Sequence, residues 1–183
     1  WLFASAMSSG DKVDARWDDA AMNYFGGSVS LTKVYDDFDD NSISSAKWAS
    51  TNLNGLSVSE TGGQLRASGT GTTSTPWETR AAATSTRTVV KTASADLVSV
   101  TGSGSVWSGV VGLYQDLSNY IIFGADKDPA FGSSPVYYLG MVSGGSQTVQ
   151  TFGQYQAGIH TIAFAISGNS INVSLDGQTM ATK

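Results

Sequence analysis

The chain has 183 residues, enough for one domain with a sizeable core, and its charged fraction of 14% lies well below the roughly 25% of typical globular proteins. Its formal net charge of −5, without any cluster of lysine and arginine, argues against a nucleic-acid-binding surface. The absence of cysteine excludes a disulfide scaffold and a zinc–thiolate site, and the absence of an apolar run of about 20 residues argues against a transmembrane helix.

Residues 1–33 form an N-terminal lead-in segment. Both a strand pattern and a helix pattern fit its apolar side chains. Its apolar side chains alternate as in a strand from Val13 to Trp17, and they also fit a helical spacing from Val13 to Tyr24. We favour a strand pair that turns near Asp18-Asp19, because Gly26-Gly27 then leads into another alternating stretch. The alternative is a short helix that ends at the two glycines.

The stretch from Tyr35 to Trp48 places two apolar anchors, Phe38 and Trp48, on either side of a polar turn. Four acidic residues surround the first anchor: Asp36, Asp37, Asp39 and Asp40. Clustered carboxylates are ligands that hard cations prefer, so these four residues predict a Ca²⁺ site, although no EF-hand spacing follows. The competing interpretation is a solvated acidic turn at a sheet edge, where charge discourages pairing with another chain.

The rest of the chain alternates between short β patterns and turn residues. Residues 54–69 predict a hairpin with a turn at Thr61-Gly62-Gly63, and a second hairpin has its tip at Asp116 to Asn119. Loops are predicted at 68–76 and from Asp126 to Pro135, and a turn at 101–105. The remaining strands are predicted at 80–91, 95–100, 106–113, 121–124, 136–142, 148–154, 158–166 and 170–175. Many short strands at this spacing predict an all-β fold, a two-sheet antiparallel β-sandwich or jelly roll.

Two groups of motifs resemble a known family. The sequence Asp-Asp-Phe-Asp-Asp-Asn of residues 36–41, with Trp48 and the later Gly-Gly-Gln-Leu of 62–65, is similar to the opening of concanavalin A-like (laminin-G-like) jelly-roll domains. Residues 158–164 and 171–177, which end in Leu-Asp-Gly, resemble the late hairpin of that family.

The resemblance spans roughly residues 34 to 180 and implies a jelly-roll domain over residues 34–183. Family members usually have another strand after the Leu-Asp-Gly hairpin, and none is predicted here, which suggests a segment of a longer polypeptide. Such domains occur in secreted glycan-active proteins and in phage tail and fibre proteins, so the resemblance implies an extracellular or virion location.

The carboxylates do not predict catalysis. A glycosidase needs paired carboxylates, and the related endoglucanases carry a Glu-x-Asp-x-Glu strand that this chain lacks. Its two glutamates, Glu60 and Glu78, lie far apart in the sequence. The lone histidine, His160, cannot build a multi-histidine metal site, and we interpret it as a structural strand residue. We therefore predict a protein that is not an enzyme.

The aromatic side chains offer a different chemistry. An exposed Trp or Tyr can stack on the C–H face of a sugar ring while polar neighbours bond its hydroxyls, although large aromatic residues more often fill a core, as we expect for Trp107. The predicted ligand-binding residues are Trp77, Arg80, Tyr114, Tyr120 and Tyr138. Trp77, which follows a Ser/Thr-rich loop, is the expected exposed platform.

Two non-catalytic functions fit these patterns. The first is a module that recognises a glycan or a host-surface receptor, and its alternative is a secreted carbohydrate-binding module attached to a glycan-degrading enzyme. The second is a structural module of a larger assembly such as a phage tail or fibre, oligomeric in that context. The apolar start of the chain, Trp1-Leu2-Phe3, favours contact with other protein chains of that assembly.

Overall fold

The chain folds as an all-β sandwich of two antiparallel sheets, as predicted. The computed structural model describes residues 1–6, 8–26, 29–73 and 80–183. Within these ranges, no helix has the length and apolar character needed to cross a membrane.

Fifteen strands are defined in the described residues, and a short 3₁₀ helix at Pro129–Phe131 follows the tenth. In chain order the strands are β1 (Leu2–Ala6), β2 (Lys12–Gly26), β3 (Val29–Asp36), β4 (Trp48–Asn52), β5 (Leu56–Glu60), β6 (Leu65–Thr70), β7 (Arg80–Ser85), β8 (Val89–Ser103), β9 (Trp107–Asp116), β10 (Asn119–Lys127), β11 (Val136–Ser143), β12 (Ser146–Gln154), β13 (His160–Ser167), β14 (Ser170–Leu175) and β15 (Gln178–Thr182). The first sheet has the order β12-β11-β10-β9-β1-β7-β4. The second has the order β15-β14-β13-β8-β2-β6-β5, with β3 paired to β2.

The core lies between the sheets, and along most strands every second side chain enters it. Trp17 from the second sheet and Phe123 from the first are fully buried there, and Trp107 is buried as expected. Burying a large apolar side chain of this kind contributes about 2–3 kcal/mol. Gly109 brings the sheets close together, because a Cβ at this position would lie 2.7 Å from the Cβ of Ala15.

Residues 1–33 supply β1, β2 and the first part of β3, and the first two strands lie inside the sheets. β1 pairs with β7 and β9, and β2 pairs with β6 and β8. The helical alternative is therefore wrong. The turn expected near Asp18-Asp19 is also wrong, because β2 continues through both residues and pairs with β3 only beyond them.

A β-bulge explains why the helical spacing was visible in the sequence. The register of β2 against β8 shifts between Asp18 and Ala21, and Asp19 has a positive φ of 44°. Before the bulge odd-numbered side chains such as Trp17 enter the core, and after it even-numbered ones such as Met22 do. One extra residue in a strand changes which face its later side chains occupy, so the combined pattern imitates a helix.

Other boundaries also differ from the sequence prediction, and three of these differences matter most. Residues 89–103 form one long strand, β8, which includes most of the turn predicted at 101–105. Asp126 lies within β10 instead of opening a loop. A strand, β15, follows the Leu175-Asp176-Gly177 turn and pairs with β14, although the sequence analysis predicted none there. The predicted hairpins β5–β6 and β9–β10 are confirmed.

Candidate functional site

The candidate site lies on the face of the first sheet that points away from the second sheet, called here the outer face. Because Phe123 enters the core, its neighbours Ile122 and Gly124 occupy the outer face. A second apolar cluster covers the middle of this face: Phe3, Ala82, Val110, Ile122 and Tyr138. The core between the sheets accounts for only one of the two apolar faces of this sheet. An apolar patch on the other face of a sheet often marks a binding surface.

Three aromatic side chains form a group at one end of the outer face. The ring of Trp1 lies 4.5 Å from that of Tyr114 and 5.8 Å from that of Tyr120, measured between centroids. The β9–β10 hairpin sets Tyr114 directly opposite Tyr120. Tyr114 keeps 37% of its surface exposed, so this group, called here the aromatic group, presents a ring to solvent.

The aromatic group borders a cleft of about 810 Å³. Hydroxyl and amide side chains, including Thr84, Thr86 and Asn119, line it together with core side chains of both sheets such as Leu113 and Ile171. The cleft therefore lies at the end of the sandwich, with the aromatic group of the outer face at its border. Among the described residues that line the cleft, Arg87 carries the only charged side chain. A concave surface with aromatic, apolar and a few polar groups is typical of small-molecule and sugar sites.

A row of polar side chains crosses the outer face beyond the apolar cluster. The register aligns Arg80, Ser5, Ser108 and Asp126 on four neighbouring strands. The hydroxyls of Ser5 and Ser108 lie 2.9 Å apart and form a buried hydrogen bond.

Asp126 is the unusual member of this row. Its side chain is only 6% exposed, and its Oδ1 has no hydrogen-bond partner among the described residues. Burial, and then the negative charge of Asp128, raise the pKa of Asp126 to about 7. The sequence pattern predicted that Asp126 opens a loop, but the residue lies within β10. The alternation from Tyr120 to Asp126 was the signal that could have placed it on the outer face.

The predicted ligand-binding residues have different surroundings. Tyr114 and Tyr120 lie together in the aromatic group, and Trp1, which the sequence analysis did not select, completes it. Arg80 is partly buried at the start of β7. Trp77 lies outside the described residues.

Tyr138 differs from the expectation of an accessible ring, because its side chain is buried on the outer face. Its hydroxyl accepts a hydrogen bond from Gln147 Nε2 at 3.3 Å, and Phe131 packs against its ring. Burial raises the pKa of Tyr138 to about 12. Tyr138 therefore supports the apolar cluster beneath the aromatic group.

The four aspartates predicted to bind calcium do not share one environment. Asp36 is buried, accepts a hydrogen bond from the Trp48 indole at 2.6 Å and pairs with Lys47 Nζ at 3.0 Å. Asp37, Asp39 and Asp40 are exposed. Backbone amides in the turn donate to two of them, from Asp39 to Asp37 and from Ser42 to Asp40.

Glu60 joins the acidic turn from β5, a contact that the sequence analysis did not predict. Its Oε1 accepts a hydrogen bond from the Ser42 amide at 3.1 Å. Burial raises the pKa of Glu60, the Ser42 bond opposes that rise, and the negative charges of Asp40 and Asp36 add to it. In the described part of the chain, no three acidic or histidine side chains form a group that could hold a metal, so calcium binding stays a prediction.

His160 lies at the start of β13, and both nitrogens of its ring have partners. Nδ1 is 2.8 Å from Asp176 Oδ2, and Nε2 is 3.1 Å from the carbonyl oxygen of Gln156. The histidine thereby connects β13 to the turn that follows β14.

Comparison of the chain with protein-family models, with curated proteins and with solved structures gives no significant match.

Proposed function

We propose that this protein is a non-catalytic recognition module that binds a glycan or host-surface receptor through the aromatic group on its outer face. The observation that carries the proposal is the exposed ring of Tyr114 beside Trp1 and Tyr120, at the border of a cleft of about 810 Å³. The sequence resemblance to concanavalin A-like jelly-roll domains supports the same function.

The chemistry of the cleft favours a sugar over a charged macromolecule. A tyrosine ring offers an apolar surface for the C–H face of a pyranose, and hydroxyl and amide side chains of the lining, such as Thr84 and Gln115, can exchange hydrogen bonds with its hydroxyls. The described lining of the cleft contains no carboxylate, so it offers no acid–base pair for glycoside hydrolysis.

We infer that the module works within a larger extracellular or virion protein, such as a phage tail or fibre. The proposal combines the two sequence-based functions, since an assembly protein can display a sugar-binding face. The edge strand β12, which carries no charged side chain, is compatible with neighbouring chains.

A glycan array tests the proposal directly. The native chain is applied with and without Ca²⁺, beside Tyr114→Ala and a matched control, Leu117→Ala. Leu117 is exposed near the tip of the same hairpin, so the control removes apolar surface there without removing a ring. We expect specific binding that Tyr114→Ala abolishes and Leu117→Ala retains.

Two results would contradict the proposal. Binding that survives Tyr114→Ala unchanged would remove the aromatic group from the site, and Trp77→Ala would then test the platform that the sequence predicted. Failure of the native chain to bind any glycan would rule out glycan recognition and leave only the role as a structural part of an assembly.

A further inference from the structure

Strand β12 forms an edge of the first sheet and has an unusual composition. Its nine residues, Ser-Gln-Thr-Val-Gln-Thr-Phe-Gly-Gln, include no charged side chain and no proline. All of them are exposed except Phe152, which is partly buried and packs against Phe123. Soluble proteins usually protect an edge of this length with lysine, proline or a covering segment.

The direction in which each residue points its backbone N–H and C=O groups shows which of these groups are unpaired along β12. This direction is known at Gly112, whose N–H donates to the Trp1 carbonyl at 2.7 Å and whose carbonyl accepts from the Trp1 nitrogen at 3.0 Å. In an antiparallel sheet, successive residues direct their backbone groups to opposite neighbours. Leu113 therefore bonds across to β10, where it stands opposite Ile121.

The same alternation of backbone directions can be followed from β10 through β11 to the edge strand β12. Ile122 directs its backbone groups to Gly140 on β11, so Met141 directs its groups to Thr148 on β12. On β12, Thr148 and Gln150 thus bond to β11. The intervening residues direct their N–H and C=O groups away from the sheet: Gln147, Val149 and Thr151.

The other described edges are shorter or carry charge. β4 and β15 have five residues each. β5 ends in Glu60, and the sequence of β3 includes Lys33 and Asp36. β12 is therefore the longest uncharged edge in the described part of the structure.

We propose that β12 pairs with β12 of a second copy of this chain, antiparallel and around a two-fold axis. With Val149 opposite Val149 of the partner, Gln147 stands opposite Thr151, so the outward-directed segment is complementary to itself. Uncharged side chains bring no like-charge repulsion across the axis, and polar and β-branched cross-strand pairs stabilise such a junction. The result joins two seven-stranded sheets into one continuous sheet.

The position of Val149 fits this role. Its side chain is 44% exposed on the outer face, at the centre of the outward-directed segment. The charge of Lys183 lies on the opposite face of β12, where Nζ donates to Gln150 Oε1 at 3.1 Å. The two-fold axis would therefore pass beside a valine and away from the lysine.

Sedimentation equilibrium on the native chain between about 1 and 100 µM tests the proposal, because this range resolves micromolar dissociation constants. We expect a reversible dimer. Val149→Lys places two like charges beside the axis, and Val149→Pro removes an outward N–H. Each should raise the dissociation constant at least tenfold.

Ile159→Lys is the matched control, since it places the same charge at another exposed apolar position, outside every strand. It should dimerise like the native chain, and circular dichroism establishes that each variant is folded. A native chain that is monomeric over the whole range would overturn the proposal. A dimer that both Val149 variants leave unchanged, or that Ile159→Lys weakens equally, would overturn it too.

Discussion

The indole N–H of Trp48 donates to Asp36 Oδ2 over 2.6 Å, and this bond fastens the acidic turn to the core. Both side chains are buried, and the other oxygen of the carboxylate pairs with Lys47. The rings of Phe38 and Trp48 lie 5.8 Å apart below the turn. Asp36 is thus an internal hydrogen-bond acceptor, in contrast to the three exposed aspartates beside it.

Replacing this carboxylate should destabilise the fold. Asp36→Ala leaves the Trp48 indole and the Lys47 ammonium without their acceptor, which costs about 3 kcal/mol of unfolding free energy. Asp37→Ala, at an exposed position, should change it by less than about 0.5 kcal/mol. Urea titration followed by tryptophan fluorescence measures both, and equal stabilities of the two variants would refute the anchoring role.

The buried Asp126 should make stability depend on pH. Because its folded-state pKa is raised to about 7, its protonated form is favoured by folding, and stability is lost as the pH rises from about 4 through 7. Asp126→Asn stays neutral, so it should exceed the native chain by a few kcal/mol at pH 8 and match it near pH 4.

Asp19→Asn is the control for this titration, because Asp19 is exposed and asparagine tolerates its positive φ. It should follow the native pH profile. If the unfolding free energy of the native chain does not change between pH 4 and 8, ionisation of Asp126 costs the folded state nothing and the prediction is wrong.

Glu60 predicts a smaller effect of the same sign. Its raised pKa means that ionisation above the ordinary pKa opposes folding, so Glu60→Gln should be more stable than the native chain at pH 8 in EDTA. Glutamine can still accept the Ser42 bond. Thermal unfolding measures the gain, and a loss of stability in EDTA would mean that the carboxylate is needed for a different contact.

Thermal unfolding in the presence of Ca²⁺ tests the prediction that the acidic turn binds calcium. Binding at the acidic turn should raise the unfolding temperature of the native chain, because a ligand that binds only the folded state stabilises it. Asp40→Asn should reduce that rise, while Asp19→Asn should not. An unfolding temperature that Ca²⁺ leaves unchanged would favour the solvated acidic turn.

Gly109 should resist substitution because the two sheets meet there. In Gly109→Ala the new methyl group would lie 2.7 Å from Ala15 Cβ and 2.8 Å from Val100 Cγ2, which costs about 1–3 kcal/mol. The double variant with Ala15→Gly should recover part of the loss. Thermal unfolding measures both, and an unchanged midpoint in the single variant would contradict the close approach.

Local patterns predicted the β class well, because turn residues and alternation act within a few residues of each other. They failed where a pattern changes phase, as at the Asp18–Ala21 bulge of β2. They also misplaced Asp126, because a lone acidic residue at the end of an apolar strand looks like the start of a loop.

The aromatic group shows a second limit. Tyr114 and Tyr120 lie in one predicted hairpin, and both were predicted as exposed aromatic residues. Trp1 reaches them only because β1 inserts between β7 and β9, a long-range pairing that no local pattern encodes.

The central positions of β1 and β2 also govern how the chain can fold. β1 pairs with β7 and β9, and the Lys12–Trp17 part of β2 pairs with β6 and β8, so the middle of each sheet forms only when segments far along the sequence are available. Folding dominated by such distant pairings is slow, because the loops between partners must close first. During synthesis, one edge of β1 would stay unpaired until β9 leaves the ribosome, which makes this interval the one most exposed to aggregation.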